Sequence, residues 1–483
     1  MSISLLATDG YKFSMAEAGY PLRRETFYFT HRGGGPQIVP FDARREITSM
    51  LPGAPAQDYA YLSEHDYSMG AGFRAAIVDS SRLQIDALPP GSWFLPREPV
   101  VSVTGPSALV SWLEPLLLQW NFRIQVATLG LLDPGRLAGE LSVVTCEEER
   151  ELVRQTLDSV GVEVPDMRVD AEGYAGRVEA RVVELVGILG DASRLFEVGL
   201  RSASCLAQHR IALEGARRAG LRRTSHVLAA RELGLTPVGT MGHEHVQRFG
   251  SDEEAFRAMR DRRPYRSSYL LDTFDTLRSG LPAALRVMAE NPELADSVRY
   301  DSGDKEAQYR FAMREARRLG LRPIQILEDS FDFPQTRRFE ALRREFGWRE
   351  DEQFYGYGGF LIAQTAGRSL TRDRVSAVYK LSQSGPHPTM KFGDEPGSGK
   401  ESIPGRPVVF RRLSGTGPLG LVGQKGEPAP EGYALLEEAS GDLLCAARQP
   451  DPGPIQPSEA TAQLIARCRE AREALLGSLP ALV

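Results

Sequence analysis

The sequence predicts an α/β fold: an irregular α/β barrel with an N-terminal α+β domain and a C-terminal appendage. Three observations predict it. From about residue 195 to 390, strand-like and helix-like segments alternate every ~25–35 residues, the pattern of right-handed βαβ units in a parallel sheet. Polar residues recur where these strands end, at His243, Asp272, Asp301, Asp329 and the pair Gly358–Gly359. In a barrel, that end of the sheet is where the βα loops converge on one site. Past about residue 395 the chain becomes rich in glycine and proline and the alternation stops.

Each part has its own justification. Residues 1–128 mix short strands and helices and form the expected N-terminal domain. FYFTHRGGG reads as a strand entering a glycine loop, PVVSVTGP as a strand closed by a turn, and ALVSWLEPLLLQWNF as a buried helix. Residues 129–395 form the expected barrel. Its first part holds TCEEERELVRQTLDSVGV, a helix capped by Thr145 ahead of an acidic first turn. No chemistry attaches to the segment from 130 to 190. HVLAARELG then reads as a helix and TPVGTMGHEH as a strand, followed by strands in SSYLLDTFDT, SVRYDSGD, PIQILEDSFD, FYGYGGFLI and SAVYKLS. Between them lie the helices KEAQYRFAMREARRLG and FPQTRRFEALRREFG. Residues 396–483 are the expected appendage, with GRPVVFRR, a hairpin near GEPAPEGYALLEE and a terminal helix SEATAQLIARCREAREALLG.

The bulk properties exclude several classes. The chain has 483 residues and a formal net charge of -6, so it lacks the basic excess that a general nucleic-acid partner requires. Phosphate binding must come from a few placed groups. No apolar run reaches the ~20 residues of a membrane span, and the first residues carry no signal-peptide pattern. Cys146, Cys205, Cys445 and Cys468 are scattered without a CxxC pair. That spacing fits neither a zinc site nor a disulfide framework and suits a reducing cytoplasm.

Three motifs carry chemistry. His243, in GTMGHEHV, is read just past a strand, where a histidine serves as base, as nucleophile toward a phosphoryl group, or as metal ligand. His243 and His245 lie two apart in a segment read as extended, facing opposite sides, which disfavours a shared metal. In VRYDSGD, Arg299 suits a phosphate or carboxylate and Asp301 suits paired ribose hydroxyls. A plain salt bridge to Arg299 is the competing reading. GYGGFLIAQTAGRSLTRD offers Gly356, Gly358 and Gly359 before a helix start, with Arg372 after it; such amides bind phosphate. It is not a GxxxxGK[ST] loop.

Taken in order, TDGYK, GLRSA, RTSHVLAARELGLTPVGTMGHEH, LLDTFDT, VRYDSGD, GYGGFLI, LTRD and AVYKL resemble the nicotinate and nicotinamide phosphoribosyltransferases, the type II phosphoribosyltransferases. The similarity runs from about Leu6 to Arg412. It implies transfer of phosphoribosyl from phosphoribosyl pyrophosphate to nicotinate in NAD salvage, with Mg²⁺ and with ATP as co-substrate. His243 falls on a histidine phosphorylated from ATP, with Asp272 as its carboxylate partner. Asp301 and Asp329 match ribose acceptors, and Gly358, Gly359, Arg372 and Lys380 match a cradle for phosphate and pyrophosphate. Arg201 matches an arginine beside the substrate ring, and Arg299 a residue that contacts the pyridine substituent.

Tyr11 matches an aromatic that reaches a neighbouring subunit's site, implying a homodimer with sites at its interface. Ser225 stands where nicotinamide enzymes carry an aspartate; its hydroxyl donates to a carboxylate, which favours nicotinate. His226 beside it is read as a surface residue. Val198 replaces a phenylalanine, and Ser202 an arginine, of the family pattern. These departures keep open nicotinamide or quinolinate as acceptor, and a catalytically silent ligand-binding paralogue. The expected partners are small molecules, with no nucleic acid and no membrane.

Overall fold

A computed structural model describes residues 2–393, 400–414, 416–436 and 455–480. Cys445, one of the four cysteines, lies outside the described residues.

The centre of the fold is a seven-stranded, wholly parallel sheet. Its order is Thr236–Pro237, Arg223–Thr224, Leu195–Glu197, Gln353–Tyr357, Ile324–Leu327, Ser297–Tyr300 and Ser268–Leu270. The first and last strands are consecutive in sequence, so they are the two edges that a full barrel would join. No ladder is formed between them, which leaves a curled half-barrel, in agreement with the α/β class.

The helices follow their sequence signals. Lys305–Arg318 starts from Asp304, whose carboxylate accepts from the Ala307 amide. Phe333–Phe346 is opened by Asp332 and closed by Gly347 at φ 68°, a left-handed conformation that glycine adopts without a Cβ clash. ALVSWLEPLLLQWNF is buried as expected, but as two helices, Ser107–Trp112 and Glu114–Leu132. No helix among the described residues is long and apolar enough to cross a membrane.

Four local readings are corrected. SAVYKLS does not extend the parallel sheet. Ala377–Ser384 pairs antiparallel with Arg24–His31, in a five-stranded sheet with Val101–Pro106, Gln84–Ala87 and His387–Pro388. Only Thr236–Pro237 of TPVGTMGHEH is strand, and His243 opens the helix His243–Phe249 with Gly242 as its cap. The cap of Glu147–Ser159 is Cys146, not Thr145, because the Cys146 sulfur accepts from the Glu149 amide. In the C-terminal region, Tyr433–Leu435 pairs with Pro407–Arg412, which also pairs with Gly420–Gln424. In place of the expected local hairpin, Pro407–Arg412 thus lies between the two later strands.

Among the described residues, two large apolar cores stand beside three smaller clusters. One lies behind the parallel sheet, around Tyr174, Leu285 and Met313. The other lies under the antiparallel sheet, around Phe13, Trp112 and Tyr379. The short helix Tyr11–Glu17 joins them, with Tyr11 and Met15, one helical turn apart, facing the first core and Phe13 the second. Its start lies backbone to backbone on the loop after Pro237: a Cβ on Gly239 would come within 2.3 Å of the Gly10 carbonyl carbon. Only glycine permits that approach.

Candidate active site

A cavity of about 540 Å³ runs along the inside of the half-barrel. It touches strand beginnings such as Ser268, Ser297 and Ile324, and strand ends such as Ser225, Asp301 and Asp329. Of the residues singled out from sequence, Tyr11, Arg201, Ser225, His243, Arg299, Asp301, Asp329, Arg372 and Lys380 all line it.

His243 lies at the centre. Its Nδ1 is 3.1 Å from Thr273 Oγ1, and its Nε2 is 3.4 Å from Asp301 Oδ2 and 3.8 Å from Asp272 Oδ1. The nearer carboxylate is therefore Asp301, not the expected partner Asp272. Asp272 is held by Lys391 Nζ at 3.0 Å and by the Ser302 hydroxyl. Burial, with help from the Lys391 charge, lowers the His243 pKa to about 4 against the pull of Asp272 and Asp301. Burial works upward on both aspartates. The His243 hydrogen bond and Lys391 outweigh it at Asp301, and Lys391 and His243 outweigh it at Asp272, so both remain carboxylates. His245 turns away, with Nε2 3.1 Å from the Ala255 carbonyl, so the two histidines share no ligand although both are helical.

Arg299 donates to Thr240 and lies 3.9 Å from both Asp301 and Glu328. Its Nε is buried without a hydrogen-bond partner and faces Glu328. Asp329 and Ser330 are left-handed at φ 56° and 60°, a conformation that non-glycine residues rarely adopt. Two such residues in succession put local backbone strain at a strand end beside the cavity. Burial and the neighbouring Asp301 charge raise the Asp329 pKa.

The other end of the cavity is a charged knot. Tyr11 donates to Glu114, and Lys12 Nζ donates to Glu114 at 2.6 Å and to Glu244 at 2.9 Å. Burial would raise the Glu114 pKa, but Lys12, Lys380 and Arg201 overcome it and hold it at about 2. Burial lowers Lys380 to about 7, against the attraction of Glu114. Although burial opposes its charge, Arg201 is held more firmly cationic than usual by Tyr11, Glu114 and Asp9.

Tyr11 lines the cavity of its own chain, anchored by Glu114 and by the Gly10–Gly239 contact. Three expectations are corrected. The Ser225 hydroxyl gives its single proton to Asp9 Oδ1 at 2.6 Å, so it is not free to donate to a substrate carboxylate. Gly358 and Gly359 lie outside the cavity lining, and no helix starts directly after them, the next being the short 3-10 turn Gln364–Ala366 and the helix Arg372–Val375. A Cβ on Gly359 would meet Asp373 Oδ2 at 2.5 Å, and an acid beside those amides disfavours phosphate. His226 is buried, not at the surface, with Nδ1 3.0 Å from His209 Nδ1.

Val198 lines the cavity near Phe196, whereas Ser202 faces a separate small cavity beside Arg368. Sequence reasoning missed Asp9, Glu114 and Lys391. Asp9 stood in the quoted TDGYK. Glu114 was a charge in an otherwise apolar run, a signal that was legible. Lys391 gave none beyond its type.

His243, Asp272 and Asp301 each bring one ligand atom within 4.8 Å of the others. Lys391 already offsets one of the two carboxylate charges, and magnesium prefers oxygen donors. The set therefore fits an ion that arrives with phosphate oxygens better than one caged by protein alone.

Comparison with known proteins shows what the chain as a whole is similar to. No family model matches the chain. It is 32% identical over 216 residues to a nicotinate phosphoribosyltransferase of Mycobacterium tuberculosis, covering 44% of this chain and only 43% of that protein. It is 27% identical to the human nicotinate phosphoribosyltransferase over 413 residues, 81% of this chain and 68% of the human protein. A namesake from Acidovorax is 26% identical over 432 residues, covering 82% of this chain and 93% of its own. Among solved structures, one from Saccharomyces cerevisiae described as a putative nicotinate phosphoribosyltransferase superposes with a TM-score of 0.60 at 17% identity, over 82% of this chain and 94% of its own. The Porphyromonas gingivalis enzyme gives 0.59 at 19%, over 83% and 96%.

Proposed function

We propose, for a chain that belongs to the nicotinate phosphoribosyltransferase family, that it transfers phosphoribosyl from phosphoribosyl pyrophosphate to nicotinate and releases pyrophosphate. The observation that carries the reading is one cavity in which Arg201, Arg299, Asp301, Asp329, Arg372 and Lys380 converge with Tyr11. Departure of pyrophosphate from C1 leaves an oxocarbenium-like ribosyl centre, which the pyridine nitrogen attacks. Asp301 and Asp329 accept from the ribose hydroxyls, while Arg372 and Lys380 face the charge that develops on the leaving group. Arg201 and Arg299 hold the acceptor's substituent, and Tyr11 packs on its ring. Magnesium, when bound with the donor, supplies charge neutralisation to the pyrophosphate, and Asp272 and Asp301 are the oxygens nearest to hand.

ATP coupling belongs to the same reading. A His243 imidazole that is neutral at pH 7 has a lone pair to accept a phosphoryl group, and Asp301 lies close enough to steady the product. Phosphorylation there would add charge at the centre of the cavity and favour the closed, substrate-binding state. A homodimer, NAD salvage and a cytoplasmic setting complete the reading.

One observation favours a second acceptor. Asp9 lies where a carboxylate would accept from an amide and repel an acid, so nicotinamide is the rival substrate. The deciding experiment is pyrophosphate release with nicotinate, nicotinamide or quinolinate, each with and without ATP. Turnover with nicotinate, raised by ATP, is the expected result. Turnover with nicotinamide alone moves the substrate and gives Asp9 the deciding role. No turnover with any of the three overturns the assignment and leaves a ligand-binding paralogue.

A further inference from the structure

Two helices begin alike and point at each other. Glu147–Ser159 follows Thr145–Cys146 and carries Glu149 at its third position; Leu206–Arg218 follows Ser204–Cys205 and carries Gln208 there. In each, the cysteine sulfur accepts from the third-position amide at 3.4 Å. Each third side chain reaches back to the amide before the cysteine, to Thr145 at 2.6 Å and Ser204 at 2.7 Å. These are relatives of the capping box, with sulfur in place of the usual oxygen and the return bond made to the residue before the cap. Sulfur is the weaker acceptor, so capping alone does not call for it twice. The two sulfurs are buried and 3.7 Å apart, although 59 residues separate them in sequence.

Two helix N-termini thus face one pair of thiols, an environment that favours negative charge on sulfur. The hydrogen bond from Cys205 and the Glu149 amide lower the Cys146 pKa despite burial, while Cys205 is raised as the partner that keeps its proton. Two buried thiols are thus in contact, either of them able to donate to the other.

We propose that Cys146 and Cys205 form a site of reversible oxidation, closed to a disulfide by hydrogen peroxide. The Cys146 thiolate attacks one peroxide oxygen, the O–O bond breaks, and hydroxide leaves to become water, giving a sulfenic acid. The Cys205 sulfur then attacks that sulfur, the S–O bond breaks, and the departing hydroxide takes the Cys205 proton as a second water. Two thiols lose two electrons and two protons, and one peroxide gains them.

The bond would add to a knot already present. Glu149 accepts from Ser204, Gln208 and Arg368, so it joins the helix Glu147–Ser159 to the segment behind Arg201 and to the stretch before Arg372. Cys205 follows Arg201 by four residues. Oxidation would therefore fasten an otherwise unassigned helix to the cavity wall.

The test uses the full chain, folded, exposed to hydrogen peroxide, blocked with N-ethylmaleimide and mapped by peptide mass. The expected product joins the Cys146 and Cys205 peptides, two hydrogens lighter than the thiols, and dithiothreitol reverses it. The unfolding midpoint of the oxidised protein rises by ~3 °C or more. In Cys205→Ser the same treatment leaves Cys146 as an oxyacid, with no rise. Recovery of both cysteines as alkylated thiols overturns the proposal, as does a bond from Cys146 to Cys468. The wild-type map needs no variant to fold and no substrate, so its failure leaves phosphoribosyl transfer untouched.

Discussion

The imidazole of His243 stays neutral down to about pH 4, because it is buried beside the Lys391 ammonium. On the proposed role, phosphoryl transfer from ATP should be flat between pH 6 and 8, where an ordinary histidine would still be losing its proton. His243→Ala should abolish ATP stimulation of pyrophosphate release while ATP-independent turnover stays within ~3-fold. Unchanged stimulation in that variant would sink the assignment. Lys380 titrates where the enzyme would work. Its pKa of about 7 means that the charge is present below neutrality and lost above it. The KM for the phosphoribosyl donor should therefore rise between pH 6 and 8, and Lys380→Arg should flatten that rise; parallel pH profiles for both proteins would refute it. His243, Arg299 and Asp301 were legible in the sequence because their side chains announce their chemistry. Asp9 was not, since a lone acid declares nothing until Ser225 is seen beside it.

Among the elements, the short helix Tyr11–Glu17 depends on a contact that no side chain makes. Gly239→Ala would drive a Cβ into the Gly10 backbone and displace the start of the helix, costing about 1–3 kcal/mol. Because Tyr11 moves with it, the acceptor KM should rise at least ~10-fold, measured beside a lowered unfolding midpoint. A variant with normal KM would separate Tyr11 from acceptor binding. Elements with strong periodicity, such as Lys305–Arg318 and Phe333–Phe346, were legible to their caps. The stretch TPVGTMGHEH misled because β-branched and small residues suit an extended chain. Gly242 in extended conformation instead starts a helix at His243, which brings its imidazole toward Asp301. Ala377–Ser384 misled in another way, since a strand's pattern does not name its partner.

For the whole molecule, a net charge of -6 coexists with a cavity in which Arg201, Arg299, Arg372 and Lys380 gather. Local placement, not overall field, is what draws phosphate. Since each chain brings its own Tyr11 to that cavity, pyrophosphate release per chain should stay constant on dilution through any dimer dissociation. A drop in specific activity, with size measured alongside, would mean that a second copy completes the site. The α/β class was legible because the alternation is long and regular. The pairing of Ala377–Ser384 with Arg24–His31 was not, because it joins segments far apart in the chain.

That link has a consequence for synthesis on the ribosome. Arg24–His31 and Val101–Pro106 emerge early, but their sheet lacks Ala377–Ser384 until about 270 further residues have been translated. Until then the face of Phe27 that stacks on Tyr379 has no cover, and such late, distant pairing slows folding. A chain ended after residue 376 should aggregate in cell-free translation unless a chaperone shields it, and one ended after residue 390 should do so much less.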